Sequence, residues 1–503
     1  AKWVAQVFSF TRGPVLFSLI LRLAMSKTVS WSELSKHSSA QDCWVALHGK
    51  VYDVTQFLAE HPGGAKVIAK WAGGDGTKSF DAIHPKTMMQ QLSPETFIGE
   101  LDEATRPKEA AGQAVAEEMV LPPIQTCLNS YDFEAVARKR MQKENLDYLT
   151  SAADDEVTFR ENSNVFSRVW LRPSILVNIK EVDTTCKMLG AASSFPAYVS
   201  SVALGKLYHP DGECGLAIGA EKIGIPFAIP CMGSNTFDEI KSVATGSPTR
   251  WLQLYVNPDR EKALDMIRRA EAIGTEALLI TVDAPVFGKR ERDRRNKVEV
   301  APVNQKSGAK ASSSGVVMAL QSFVDCTLTW DDMKWFRSVT KMKIVLKGVQ
   351  RWEDAVMAAD AGLDGIVLSN HGGRQLDFAR SGLELLAEVM PELRKRNLSI
   401  EVLMDGGVRR GTDIFKAIAL GANGVGLGRS AIWALGSYGT EGVEAYLQIL
   451  KDEFELCMKL CGVKSVADIG PQYVSCDFLQ AHVTAAPART LAVGQYVPLK
   501  SAL

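Results

Sequence analysis

From about residue 127 the chain alternates short apolar, β-branched runs with longer stretches whose apolar residues recur at helical spacing. The short runs are 196–204 (PAYVSSVAL), 226–230 (PFAIP), 250–256 (RWLQLYV), 277–283 (ALLITVD), 344–349 (IVLKGV), 365–370 (GIVLSN), 402–407 (VLMDGG) and 424–429 (GVGLGR). Between them, stretches such as 258–273, 351–360 and 411–420 predict amphipathic helices. Strands alternating with helices predict an α/β fold with a parallel sheet. Eight such units over roughly 250 residues predict a (β/α)8 TIM barrel. An open doubly wound sheet is the competitor, but no GxGxxG follows the first strand and no GxxxxGK[ST] occurs.

The region ahead of the barrel has another character. Residues 27–101 read as a compact unit holding four of the seven histidines: His37, His48, His61 and His84. Residues 102–126, rich in Ala, Glu and Pro and free of aromatics, predict an exposed linker. The barrel is expected over 127–470, and 471–503 is expected to be a tail without periodicity. Residues 291–316, between the fourth and fifth strands, carry little apolar content and predict a mobile lid at the catalytic end. Residues 1–26 are a candidate targeting segment, because no acid precedes Glu33 while Lys2, Arg12, Arg22 and Lys27 do, with the short apolar stretch 14–25 among them.

Composition narrows the class. Lys and Arg number 57 against 58 Asp and Glu, so no global field favours nucleic acid or an anionic membrane. No apolar run reaches membrane-spanning length. The nine cysteines are scattered without a CxxC pair, which argues against a disulfide scaffold or a zinc finger. A multidomain enzyme remains.

Catalytic groups of a barrel belong at the C-terminal ends of its strands. Those ends offer Tyr255, Asp283, Lys347, His371, Asp405 and Arg429. In SNHGGRQLD (369–377), His371 suits proton transfer near neutral pH, and Arg374 offers a planar fork for a carboxylate. Asp283 can orient the imidazole and stabilise its protonated form. The last two strands bring DGGVRRG and GLGR, whose Gly406, Gly407, Gly428, Arg409 and Arg429 suit a phosphate. Lys347 can stand beside an anionic ring. These parts favour flavin mononucleotide and leave a sugar phosphate or pyridoxal phosphate open. In the first unit, His61 of HPGG and His84 can ligate haem iron from opposite faces, with Pro62, Gly63 and Gly64 making a tight turn, and two unrelated surface histidines are the other reading.

The segments QLYV, TVDAP, LKGV, SNHGGRQLD and DGGVRRGTD resemble the FMN-dependent L-2-hydroxyacid dehydrogenase family. The segment 42–64 with His84 resembles a cytochrome b5-type haem domain, which implies a small α+β fold for residues 27–101. The resemblance implies FMN and haem b as cofactors, with His61 and His84 as axial ligands. It implies His371 as base with Asp283, and Arg374, Tyr148 and Arg290 on the substrate carboxylate. Tyr255 would meet the substrate hydroxyl. Gln253, Thr281 and Lys347 would contact the flavin ring, and Asp405 its ribityl chain. Gly407, Arg409, Gly428 and Arg429 would take its phosphate. Val202 and Ala203 follow the first strand against the cofactor. The implied reaction is oxidation of a small L-2-hydroxy acid, L-lactate or a relative, to the 2-keto acid. Electrons would pass through haem to cytochrome c, in a homotetramer of the mitochondrial intermembrane space. An oxygen-reducing oxidase and a non-catalytic redox sensor are the rivals. Four positions depart from the family pattern: Val202 for a Thr, Pro230 for a Ser, Ala152 for a Gly, and Met232 beside Ala203 where the substrate side chain would lie.

Overall fold

The computed structural model describes residues 28–59, 61, 68–81, 88–89, 94–106, 121–246, 250–296 and 324–482. The chain divides into two compact units, residues 1–118 and 119–503. No helix among the described residues is long and apolar enough to cross a membrane.

The first unit is built on a mixed sheet. Its strands run in the order Thr28–Ser30, Phe97–Asp102, Lys50–Asp53, Asp42–Leu47 and Ser38–Ser39, with Gly74–Asp75 pairing Asp42–Leu47. Alternation along Asp42–Leu47 sends Cys43, Val45 and Leu47 into one apolar cluster and Ala46 into another. Half-buried Phe57, Ile68, Trp71, Phe80 and Met89 pack on the first cluster.

The second unit is a closed barrel of eight parallel strands. They are β1 (Ala197–Val199), β2 (Phe227–Pro230), β3 (Arg250–Leu254), β4 (Thr275–Thr281), β5 (Lys343–Val349), β6 (Gly365–Leu368), β7 (Glu401–Asp405) and β8 (Gly424–Leu427). Along β4, Ala277 and Leu279 join the inner cluster with Trp251, Val345, Val367 and Leu403, while Leu278 and Ile280 face the surrounding helices. Strands covered on both faces read as unbroken apolar runs, which is why they were visible in the sequence. The hairpin Cys186–Met188 with Ala191–Ser193 feeds Met188 and Leu189 into that inner cluster, and the Leu189 N–H donates to Glu401 at the start of β7. The opposite, C-terminal end is left for chemistry.

Helices cover the strands by their apolar stripes. In Arg260–Ala272 the buried residues are Ala263, Met266, Ile267 and Ala270, and the Asp259 carboxylate caps the first turn. Helix Gly382–Lys395 starts on a reciprocal capping box between Ser381 and Glu384.

Two expected boundaries shift. The tail does not begin at 471: Val474–Ser475 pairs antiparallel with Trp170–Leu171, and buried Leu479 accepts a 3.0 Å hydrogen bond from Arg168 Nε. Backbone pairing and side-chain burial therefore hold 471–482 on the barrel unit, while 483–503 lie outside the described residues. Nor is the end of the 102–126 linker a free spacer: Ile124 packs on the barrel core and Tyr438 O–H donates to Pro122 O at 2.8 Å. Of the expected lid, Glu291–Arg294 is helical and residues 297–323 lie outside the described residues, as do residues 1–27.

Candidate active site

A cavity of ≈ 310 Å³ opens at the C-terminal end of the barrel. Tyr148, Val202, Ala203, Gln253, Tyr255, Thr281, Arg290, Lys347, His371, Arg374, Asp405, Gly406, Gly407, Arg409, Gly428 and Arg429 all line it. Asp283 stands behind the imidazole instead.

His371 follows β6 by three residues and adopts φ +59, in the left-handed region a side chain rarely occupies. Its backbone N–H donates to Ser369 Oγ at 3.1 Å, which helps hold that turn. Nδ1 lies 3.0 Å from Asp283 Oδ1, and Nε2 lies 3.0 Å from Tyr255 OH. A carboxylate only accepts, so Nδ1 carries the proton toward Asp283 and Nε2 presents its lone pair. Burial pushes the His371 pKa below the usual imidazole value, Lys347 and Arg290 add to that, and Asp283 opposes them. Burial works against the Asp283 carboxylate, yet His371 and Lys347 outweigh it and hold its pKa low. Gly348, at φ +107, makes room for this acid: a Cβ there would come within 2.4 Å of the Asp283 carboxyl carbon. Burial raises the Tyr255 phenol well above its ordinary range, so it stays a donor.

A second polar chain crosses β5, β6 and β7. Lys347 Nζ donates to Ser369 Oγ at 3.1 Å, Ser369 Oγ–H donates to Asp405 Oδ1 at 2.6 Å, and Nζ lies 3.2 Å from Asp405 Oδ2. Burial opposes the Lys347 charge, but Asp405 and Asp283 more than compensate and raise its pKa. On the neighbouring side, Gln253 Nε2 donates to Thr281 Oγ1 at 2.9 Å.

The arginines are less satisfied. The Arg374 guanidinium lies 4.7 Å from the Tyr148 ring centroid, and its Nη2 donates to Tyr148 O at 3.3 Å. Arg290 Nε donates to Arg374 O at 3.1 Å. Arg429 stacks 4.4 Å from the Phe159 ring and donates to Gly372 O. Arg409 pairs with Glu134 and lies 4.3 Å from the Tyr131 ring. Arg374 Nε, Arg409 Nε and Arg429 Nη1 are buried donors without a hydrogen-bond partner among the described residues. Burial, reinforced by Arg374, pushes Arg290 and Arg429 each down to about 9. Guanidinium groups keep their protons, so these buried positive charges suit an anion.

The helix Arg429–Cys461 begins at this edge, with no side chain capping its first turn. Backbone N–H groups at a helix N-terminus without a side-chain cap, beside the unpartnered Nη1 of Arg429, fit the phosphate of FMN. The buried Lys347 ammonium fits beside an anionic flavin ring. Gly407 owes its identity to packing: a Cβ there would fall 1.8 Å from Asn162 O. Of the two departures from hydroxyl residues, Val202 faces the cavity, while Pro230 is buried in β2 and does not line it.

In the first unit, His61 is buried, and its ring meets Phe57 edge-on at 5.6 Å beside the apolar cluster around Leu58. An imidazole against such a wall fits one axial ligand of a haem. His84 and Pro62, Gly63 and Gly64 lie outside the described residues.

Sequence reading missed Ser369, although it sits two residues before His371, because nothing local tells a buried junction from a turn serine. Glu134 and Phe159 were not visible at all, since both reach their arginines from far along the chain.

A profile described as FMN-dependent dehydrogenase matches residues 137–476, and one described as cytochrome b5-like heme/steroid binding domain matches residues 30–102. The chain is 44% identical over 463 residues to an L-lactate dehydrogenase (cytochrome) of Wickerhamomyces anomalus, covering 90% of this chain and 80% of that one. It is 42% identical over 493 residues to the L-lactate dehydrogenase (cytochrome) of Saccharomyces cerevisiae, covering 93% and 83%. A glycolate oxidase of Spinacia oleracea is 38% identical over 359 residues, covering 70% and 96%. Among solved structures, a flavocytochrome b2 variant with pyruvate bound is similar at a TM-score of 0.68 and 42% identity, covering 76% of this chain and 94% of that one.

Proposed function

We propose, since this chain belongs to the FMN-dependent dehydrogenase family and carries a cytochrome b5-like domain ahead of its barrel, that it oxidises an L-2-hydroxy acid, L-lactate first, to the 2-keto acid and passes the electrons through haem. FMN and haem are its cofactors. The observation that carries the reading is His371, held 3.0 Å from both Asp283 and Tyr255 at the wall of an arginine-bearing cavity.

Arg374, Arg290 and Tyr148 take the substrate carboxylate, which supplies the anion their buried charge lacks. Tyr255 donates to the substrate oxygen and sets that oxygen near Nε2. The neutral His371 imidazole accepts a substrate proton at Nε2, and Asp283 stabilises the imidazolium that results. FMN supplies the two-electron acceptor and haem the one-electron relay. Lys347 places a fixed positive charge where negative charge gathers on reduction, in a site too buried for water to do so. Arg429, Arg409, Gly407, Gly428 and the helix N-terminus would hold the phosphate, Gln253 and Thr281 the ring, Asp405 the ribityl chain, and His61 with His84 the iron. The proposal extends to cytochrome c as terminal acceptor, supported by likeness to relatives named L-lactate dehydrogenase (cytochrome), and, on the family resemblance alone, to the mitochondrial intermembrane space and a homotetramer. A flavin oxidase is the alternative, but a haem module has no part in handing electrons directly to oxygen.

The test is anaerobic. L-lactate added to the purified holoenzyme is expected to reduce flavin and then haem, read in the visible spectrum. Flavin reduction with oxidised haem would overturn the relay. No change with both cofactors bound would overturn L-lactate as substrate.

A further inference from the structure

Arg292 does not line the cavity, yet it makes three hydrogen bonds to one turn. Nη1 donates to Thr150 Oγ1 at 3.0 Å, and Nη2 donates to Thr150 O at 2.8 Å and to Glu156 Oε1 at 2.6 Å. Glu156 Oε1 also accepts the Ala152 N–H at 3.0 Å. Glu156 adopts φ +58, a left-handed conformation that the surroundings must hold in place.

The same turn is bonded on two further sides. Asp154 N–H donates to Lys289 O at 3.1 Å, and Ala153 N–H donates to Gly373 O at 2.9 Å. Tyr148 lies two residues before Thr150, Arg290 lies beside Lys289, and Arg374 follows Gly373. Three groups assigned to the substrate carboxylate thus hang from one seven-residue turn, 150–156. Asn296 adds a single bond from its Nδ2 to Asp147 Oδ2 at 3.2 Å. Arg292 makes the charged, forked connection.

We propose that Arg292 is a positioning residue for the substrate carboxylate, fixing the spacing between Tyr148 and Arg290 through Thr150 and Glu156. This rests on the carboxylate assignment made above. A planar fork bonded to a carbonyl, a hydroxyl and a carboxylate at once holds one geometry, which a flexible ammonium does not. Binding groups must be held within about half an ångström of their working positions for their charge to be used.

The test uses the holoenzyme with oxalate as probe, a planar dicarboxylate followed by its perturbation of the flavin spectrum. Arg292→Ala is expected to weaken oxalate and raise KM for L-lactate by about tenfold, the scale of one charge-assisted hydrogen bond. Meanwhile kcat is expected to change by less than about twofold, because carboxylate binding is shared by ground and transition states. Added guanidinium is expected to restore oxalate binding to Arg292→Ala. Glu156→Gln should repeat part of the loss and show no rescue. If Arg292→Ala does not fold, Arg292→Lys is read the same way, with a smaller loss expected. Oxalate affinity unchanged in the variant that folds would overturn the proposal. So would a loss accounted for by FMN release, measured as flavin content. Failure of the functional reading is separate: wild type would then bind oxalate without being reduced by L-lactate, and the comparison of oxalate affinities would still decide the role of Arg292.

Discussion

Two sets of charged groups share the cavity and differ in how far they are neutralised. His371 with Asp283, and Lys347 with Asp405 and Ser369, have opposing partners at 2.6–3.2 Å. Arg290, Arg374, Arg409 and Arg429 crowd into the same space, where Glu134 pairs with Arg409. Orphaned N–H donors on Arg374, Arg409 and Arg429 show where the charge is unspent. The first set is arranged before any ligand arrives, as groups that move protons and steady developing charge must be. On the proposed function, the second is completed by anions, a carboxylate on one side and a phosphate on the other. Changes in the first set should therefore strike turnover, and changes in the second should strike binding.

The largest effect is expected at the base. His371→Gln should slow lactate-driven flavin reduction by roughly 10²–10⁴-fold while both cofactors remain bound. Stopped-flow absorbance measures it, and reduction at the wild-type rate would remove His371 from the reaction. Asp283→Asn should cost about a hundredfold and also move the pH profile. The base works when neutral, so kcat/KM falls as pH drops through the His371 pKa, which burial has already lowered. Asp283 is the charge that pulls this pKa up. Its loss should carry the acid limb to still lower pH, and an unmoved limb would break the coupling between the two groups.

At the arginine side, Arg429→Ala should weaken FMN by about 10–100-fold, the range of a charged hydrogen bond. Flavin fluorescence on dilution reads this, and haem content is the control. Turnover per bound flavin should hold nearly constant, in contrast to the His371 variant.

That contrast was only half legible in the sequence. The barrel and its strand-end residues were readable because buried parallel strands are unbroken apolar runs and the chemistry follows each run within a few positions. His371, Asp283, Tyr255 and Lys347 all came from that rule. What decides their charge state did not. Glu134 is 275 residues from Arg409, and Arg292 is 142 from Thr150, so no local pattern records either bond. Gly407 is ambiguous in another way: it reads as a phosphate-cradle glycine and lines the cavity, and its missing side chain is demanded by the backbone of Asn162 as well. Packing and ligand approach leave the same mark on a sequence.

The smallest effect separates two departures that look equivalent on paper. Val202 and Pro230 each stand where a hydroxyl is expected, but Val202 is the one that lines the cavity. Val202→Thr keeps the branched shape and turns one methyl into a hydroxyl, so the half-buried position should accept it without repacking. A new hydrogen bond to the flavin would be worth about 0.5–1.5 kcal/mol, or roughly 2–10-fold in FMN affinity. Pro230→Ser, at a buried position of β2 that does not line the cavity, should leave FMN affinity where it was. Titration of flavin into the flavin-stripped variants decides it. Tighter binding in the first alone would place Val202 against the ring or ribityl chain, and equal responses would mean that the strand end moves when FMN binds.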